Sequence, residues 1–414
     1  MMIVVSNFRL RDLGEFVRAV CDIKGEGFGP ELYFDVHPSN ADAVDIAEPN
    51  WAAVALIYQA MLLGKDLVIE ADLSPLLLMN LRHDFMALVR NYEPLARPIR
   101  IEAGASSAPC YRTADKDVAT GLSFGVDSFA TFLRYTRPEV PKGVRLTGAA
   151  VFQVGAFGKT SDPSIQMGRA RTRCEEIVQP FGTRVYSLSS NMDDVFAPAA
   201  AAGPVGFAKT VGFRNAAAAL VFQKRLGLYL ASGNVDYTHA TFGQFLTTES
   251  LDPAFQPLLN TEGLQFQSGL AGTARYDKIA EIADHPLVHQ HLDVCVGPTE
   301  KRFIGGAARN NCTECWKCIL TALALDSMGK LDAFGAVFDL DLYRRERPRL
   351  MQSAVNAAFE RGPQSATQSI VDRVRQAGFD LPQPNSRLVR VAGKWTRKVR
   401  TRARRALRAT GLRT

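Results

Sequence analysis

Two groups of residues in this 414-residue chain have types and spacings that could do chemistry. The first is the run Ser123-Phe124-Gly125-Val126-Asp127-Ser128, where an apolar stretch from Ala119 feeds a glycine-containing turn and then the helical pattern SFATFLRYT. A strand that ends in small residues and opens a helix presents backbone N–H groups, and the positive end of the helix dipole, to an anion. Such a turn suits pyrophosphate. Ser123 and Ser128 can donate hydroxyls to phosphate oxygens, Gly125 admits close backbone approach, and Asp127 can hold a magnesium ion against the phosphates. Serine, glycine and aspartate also suit a strand-to-helix turn for capping alone, and six residues do not separate the two readings. The second group is Cys312, Cys315 and Cys318, with Cys295 upstream. Their spacing lets the thiolates converge on one tetrahedral zinc, with Cys295 returning as the fourth ligand. Because protein fills all four positions, the ion is structural. An iron–sulfur cluster is the competing metal reading, but a short knuckle without a ferredoxin-like run of cysteines favours zinc.

A phosphate turn needs a sheet behind it. The run RLTGAAVFQV at 145–154 predicts a strand, 164–179 a helix, TRVYSLS at 183–189 a strand, 207–226 a helix, and GLYLASGN at 227–234 a strand followed by a turn. Alternating β and α elements of this kind predict an α/β fold, a doubly wound parallel sheet covered by helices, over 117–330 with the zinc knuckle at 295–318. Ahead of it, ELYFDV at 31–36, DLVIEA at 66–71 and helical patterns at 51–63 and 74–92 predict a small N-terminal α/β extension over 1–110. The stretch RPIRIEAGASSAPC at 97–110 reads as a linker or edge segment. Residues 331–385 form a C-terminal helical region and 386–414 a basic tail.

Composition narrows the function classes. With 47% hydrophobic and 22% charged residues, and no apolar run of the roughly 18 residues that a spanning helix needs, the chain reads as globular and cytoplasmic. Four of the seven cysteines fall in 295–318, which suits metal ligation in a reducing compartment better than a disulfide framework. Cys21, Cys110 and Cys174 read as buried thiols. The net charge of +7 is uneven: 387–414 holds eleven Lys and Arg and no acid, which leaves the remaining chain at −4. In that tail Val391, Trp395, Val399, Ala403 and Leu407 fall four apart with basic residues between them. Such a helix suits an anionic partner: RNA, a membrane surface or an acidic protein. The run GAFGKT at 155–160 imitates a Walker loop, but Gln153 stands where its first glycine should be, so Lys159 reads as a solvated loop lysine.

The run SFGVDS resembles the SGGxDS signature of the PP-loop ATP pyrophosphatases, an adenine nucleotide alpha hydrolase-like fold whose members split ATP into AMP and pyrophosphate. Ser123, Gly125, Asp127 and Ser128 match it, and Phe124 stands where the signature has glycine. With the late cysteine knuckle, the arrangement is similar to the 7-cyano-7-deazaguanine synthase family. Arg214-Asn215 reads as a helix opening like the Arg-Asn pair of that family, and SGNVDYTHATFGQF at 232–245 resembles its Asn-x-x-Asp-Tyr stretch. The stretch ARYDKIAEI at 274–282 resembles its lysine-bearing helix start.

The resemblance covers about residues 117–330 and implies ATP, Mg2+ and Zn2+ as cofactors and a ligase that adenylates a carboxyl or amide oxygen before a nucleophile such as ammonia displaces AMP. It implies Asp127, Ser128 and Lys278 as catalytic, with Lys278 neutralising phosphate charge. Ser123, Gly125, Asp127, Ser128, Phe152 and Arg214 would hold the nucleotide. Asn215, Gly233, Asn234, Asp236 and Tyr237 would line the pocket of a small-molecule substrate, and a homodimer is the expected assembly. A tRNA-modifying PP-loop enzyme, with the tail as its RNA grip, and a non-catalytic nucleotide-binding member are the alternatives. Phe124, the longer gap between Cys295 and Cys312, and the unmatched segments 1–110 and 331–414 point to a divergent branch with its own substrate. No Ser-His-Asp or Cys-His pattern stands out, and His285, His289 and His291 read as surface residues.

Overall fold

A computed structural model of the chain describes residues 2–155, 163–196, 206–240, 242, 248–296, 309–362 and 365–385. Lys159 and the tail 386–414 lie outside the described residues. Two compact units divide the chain, Met1–Lys278 and Ile279–Thr414.

The first unit is built on ten strands in one sheet: β1 (Met2–Asp12), β2 (Val17–Lys24), β3 (Glu31–Val36), β4 (Asp66–Leu73), β5 (Ile101–Ala105), β6 (Asp117–Gly121), β7 (Gly148–Gln153), β8 (Arg184–Ser190), β9 (Leu226–Ser232) and β10 (Gln265–Gly269). Their order is β10-β9-β6-β7-β8-β3-β2-β1-β4-β5. The sheet is mostly parallel. The block β10-β9-β6-β7-β8 is parallel throughout, as are β1-β4 and β4-β5, while β8-β3, β3-β2 and β2-β1 are antiparallel.

Residues 1–110, expected as an N-terminal α/β extension, join the same sheet. Their strands extend the motif-bearing sheet through the pairing of Phe34, Asp35 and Val36 with Ser190, Ser189 and Leu188. Helix α1 (Asn50–Leu63) is apolar all round and buried from Asn50 to Met61, as a helix covered on every side must be. It stops at Gly64, whose φ of 60° gives the left-handed cap. The pattern at 74–92 splits into α2 (Pro75–Asn80), a π-helical turn at Leu81–Phe85 and α3 (Met86–Tyr92). Pro75 and the Ser74 hydroxyl, which accepts from the Leu77 N–H at 3.0 Å, fix its start.

In the parallel block α4 (Val126–Tyr135) packs on β6 and β9, and α5 (Pro163–Val178) on β7 and β8. After the short α6 (Met192–Phe196), α7 (Phe207–Val221) packs on α1. A buried polar pair joins the two halves of the unit. Asn50 donates to the Gln223 side-chain oxygen at 3.1 Å, and Gln223 donates to Asp45 at 2.9 Å. Tyr58, Phe85, Phe213 and Phe255, the last in α8 (Asp252–Phe255), close the core with ring centroids 4.5 to 5.5 Å apart.

Helix α9 (Arg275–Ile282) follows β10. The second unit carries α10 (Pro286–His291), α11 (Trp316–Ser327), α12 (Leu340–Arg361) and α13 (Ala366–Gln376). Asp339 and Ser365 cap α12 and α13, accepting from the Leu342 and Gln368 N–H groups at 3.0 and 3.1 Å. No helix among the described residues is long and apolar enough to cross a membrane.

Candidate functional site

Strand order in the parallel block reverses between β6 and β9, and in sheets of this kind ligands bind beyond the carboxyl ends of the strands at that reversal. Three segments meet there. The first follows β6. Ser123 is exposed, Phe124 holds a φ of 64°, and Gly125 precedes α4. Glycine has no side chain to cap the helix, so from that position the first-turn N–H groups are left for another acceptor. Ser128 donates its hydroxyl to the Gly125 carbonyl at 3.0 Å, and Ser123 donates to the Ser128 hydroxyl at 3.3 Å.

The second segment follows β9. Gly233 donates its N–H to the Gly269 carbonyl at 2.9 Å. A Cβ at position 233 would lie 2.8 Å from that oxygen, so only glycine fits. The third segment is the first turn of α9. Arg275 Nη1 donates to Asp127 Oδ2 at 2.6 Å and to Asn234 Oδ1 at 2.9 Å. Lys278 Nζ lies 3.4 Å from Asp127 Oδ1 and donates to the Gly233 carbonyl. Lys278 is only 1% exposed, and burial pulls its ammonium below the ordinary lysine value against the opposing pull of the Asp127 carboxylate. Two cations thus hold one carboxylate at the mouth of the turn.

The structure brings Ser123, Gly125, Asp127, Ser128, Gly233, Asn234 and Lys278 together. Asp236 stands in the same loop as Gly233 and is 5% exposed. Burial alone would raise its carboxyl, but hydrogen bonds from Thr238 and His239 outweigh burial and hold it below the usual carboxylate range. Tyr237 projects from this loop, 62% exposed.

Three expected residues are placed elsewhere. The Phe152 ring is in the core, stacked between Phe222 and Tyr229 with centroids 6.1 and 6.0 Å away, and not on a nucleotide-facing surface. Arg214 and Asn215 do not open a helix but sit in the middle of α7, which starts at Phe207. The Arg214 guanidinium is buried and committed to the Val154 carbonyl at 2.8 Å, Asp193 at 2.7 Å and Thr210 at 2.8 Å. Two residues that the sequence reading passes over belong to the site. Arg275 stands three before Lys278, the spacing that puts both cations on one helix face. His239 stands three after Asp236 and hydrogen-bonds it.

Phe124 occupies the left-handed region, which costs an L-residue about 1–2 kcal/mol. Its ring is 4% exposed, with the Arg173 guanidinium 4.3 Å from its centroid. Phe124→Ala is expected to destabilise the protein by about 3–5 kcal/mol through the lost ring. Phe124→Gly removes the same ring and also the strain, so it is expected to be about 1 kcal/mol more stable than the alanine variant, the reverse of the usual order. Denaturant melts of the two variants check this, and an alanine variant at least as stable as the glycine one rules the strain out.

A four-cysteine cluster that could hold a metal ion lies in the second unit. Thr313, with a φ of 61°, turns the chain so that the Cys315 N–H donates to Cys312 Sγ at 3.2 Å, and the first turn of α11 brings in Cys318. The four sulfurs of Cys295, Cys312, Cys315 and Cys318 all lie within 4.8 Å of one another. Cys318 Sγ is 3.3 Å from Cys315 Sγ and 4.0 Å from Cys312 Sγ. Thiolates bound tetrahedrally to zinc sit about 3.8 Å apart, so the set fits a zinc ion. Asn311 braces the two arms: its side chain accepts from the Val294 N–H and donates to the Leu292 carbonyl, both at 2.8 Å. Hydrogen bonds from the other three thiols push the Cys295 thiol down, and hydrogen bonds with the other three push Cys318 up. Four sulfurs this close together are a donor set that could bind a cation once their protons are released. Comparison of the chain with family models, with curated proteins and with solved structures finds no match in any of the three.

Proposed function

We propose that the protein is an ATP-dependent ligase of the amidotransferase type, which adenylates a carboxyl or amide oxygen and releases pyrophosphate, as a divergent PP-loop enzyme similar to 7-cyano-7-deazaguanine synthase. The observation that carries this is Asp127 in the first turn of α4, met by Arg275 at 2.6 Å and Lys278 at 3.4 Å beside the β6/β9 reversal. Uncapped helix N–H groups, two serine hydroxyls and two cations are an anion-binding set, and a carboxylate among them is what a phosphate-bound magnesium ion needs.

In this reading Ser123, Ser128 and the first-turn N–H groups hold the phosphates, and Asp127 holds magnesium. Arg275 and Lys278 offset the charge that grows on pyrophosphate as it departs, which is catalysis by positioning and fixed charge. Position 124 supports the resemblance, because it holds the backbone that the glycine of the signature favours while carrying a phenylalanine. The four cysteines hold zinc as a brace.

The test incubates the full chain with ATP, magnesium chloride, ammonium and a panel of amino-acid and heteroaromatic carboxylic acids. The expected products are AMP and pyrophosphate in equal amounts. Release of ADP and phosphate, or nucleotide binding without turnover, overturns the ligase and favours a non-catalytic nucleotide-binding protein. Turnover that requires tRNA, with salt-sensitive binding lost on removing 387–414, favours the tRNA-modifying alternative.

A further inference from the structure

Beyond the phosphate turn, the loop after β9 carries a second constellation with chemical capability. Asp236 Oδ1 accepts from the Thr238 N–H at 3.0 Å, from the Thr238 hydroxyl, and from His239 Nδ1 at 2.7 Å. The Thr238 bonds alone would satisfy a turn of this shape. The imidazole adds a third donor to the same oxygen, and its side chain is 14% exposed against 6% for the carboxylate. An ionised carboxylate only accepts, so His239 must carry its proton on Nδ1. In the neutral ring Nε2 then keeps a lone pair. Lys278, whose ammonium feels the Asp236 charge, also faces Asp127, which Arg275 meets from the other side.

We propose that His239 is the general base of the second half-reaction and that Asp236 is its positioning residue; this rests on the adenylation reading above. The nitrogen of the incoming nucleophile forms the new C–N bond with its lone pair, and the bond from the acyl carbon to the AMP oxygen breaks with its electrons leaving on AMP. The proton released by the nitrogen passes to His239 Nε2 and from there to solvent. For ammonia and an acyl adenylate the products are an amide, AMP and a protonated imidazole, which balances atoms and charge. A carboxylate behind the imidazole fixes its tautomer and steadies the imidazolium that forms.

Two measurements on the full chain test this. Histidine 15N spectra are expected to show the neutral ring of His239 with its proton on Nδ1. A neutral ring protonated on Nε2 overturns the pair. In the turnover assay His239→Gln is expected to lose about 10²-fold with ammonium as nucleophile. It is expected to keep near wild-type turnover with hydroxylamine, which is largely unprotonated at neutral pH and reacts without a base. Equal turnover of His239→Gln and wild type with ammonium overturns the base assignment alone. A wild type that releases no pyrophosphate with either nucleophile overturns the adenylation reading, and the base assignment falls with it.

Discussion

Cys318→Ser is expected to abolish zinc binding and to melt the knuckle together with the helix it starts. The purified wild-type chain should carry one zinc per molecule by atomic absorption, and the serine variant close to none. Serine matches cysteine in shape, so the loss reports the missing thiolate and not a cavity. Cys318 is fully buried on α11 and lies 3.3 Å from Cys315 Sγ, so no other side chain can replace it without moving the helix. Binding of structural zinc is worth about 10–16 kcal/mol in small zinc modules, more than the whole stability of most domains. Chelation of the wild type should therefore lower the thermal midpoint sharply, and chelation of Cys318→Ser should not. A wild type that holds iron and labile sulfide would replace zinc by a cluster, and retention of zinc by Cys318→Ser would remove Cys318 from the ligand set.

The knuckle was open to reading from sequence because its chemistry is written in spacing alone. Cys312, Cys315 and Cys318 need only a turn and a helix start to converge, both of which are local. Much of the parallel block is legible for a similar reason: β7, β8 and β9 each carry apolar residues and have a glycine or serine at or just after their ends. The N-terminal strands are different. Nothing within ELYFDV tells that Phe34 will pair with Ser190, because the partner strand lies far away in the sequence.

Phe152 and Arg214 fail for two further reasons. All six residues of β7 are buried, so alternation cannot say which face looks toward the site, and the Phe152 side chain is taken by the aromatic stack. Helix α7 starts after Gly206, where the sequence places it, and the polar pair Arg214-Asn215 imitates a second beginning inside it. His239 and Arg275 carry no signal by themselves. They acquire meaning only once folding sets each against a carboxylate.

Asp127→Asn is expected to reduce pyrophosphate release by at least 10²–10³-fold, the scale at which one preorganised charge contributes to a transition state. It is also expected to unsettle the fold in a way that identifies its partners. Lys278 is 1% exposed and Asp127 offers it the nearest carboxylate, with Arg275 on the other oxygen. Removing that charge leaves two cations facing each other, and breaking a buried pair from one side costs about 3–5 kcal/mol. The sign of the pH dependence follows from Lys278. Its folded pKa lies below the ordinary lysine value and falls further without Asp127. Between that folded pKa and the unfolded value of about 10.4, the unfolded chain binds more protons, so stability rises with pH across the window. The deficit of Asp127→Asn should be full at neutral pH and shrink on the alkaline side. Adding Lys278→Met to Asp127→Asn removes the unpaired ammonium, so the double variant should recover stability at neutral pH while remaining inactive. If the double variant is no more stable than Asp127→Asn, the two residues are not an energetic pair. If Asp127→Asn keeps full turnover, magnesium and phosphate are held elsewhere and the site at the β6/β9 reversal is not the catalytic one.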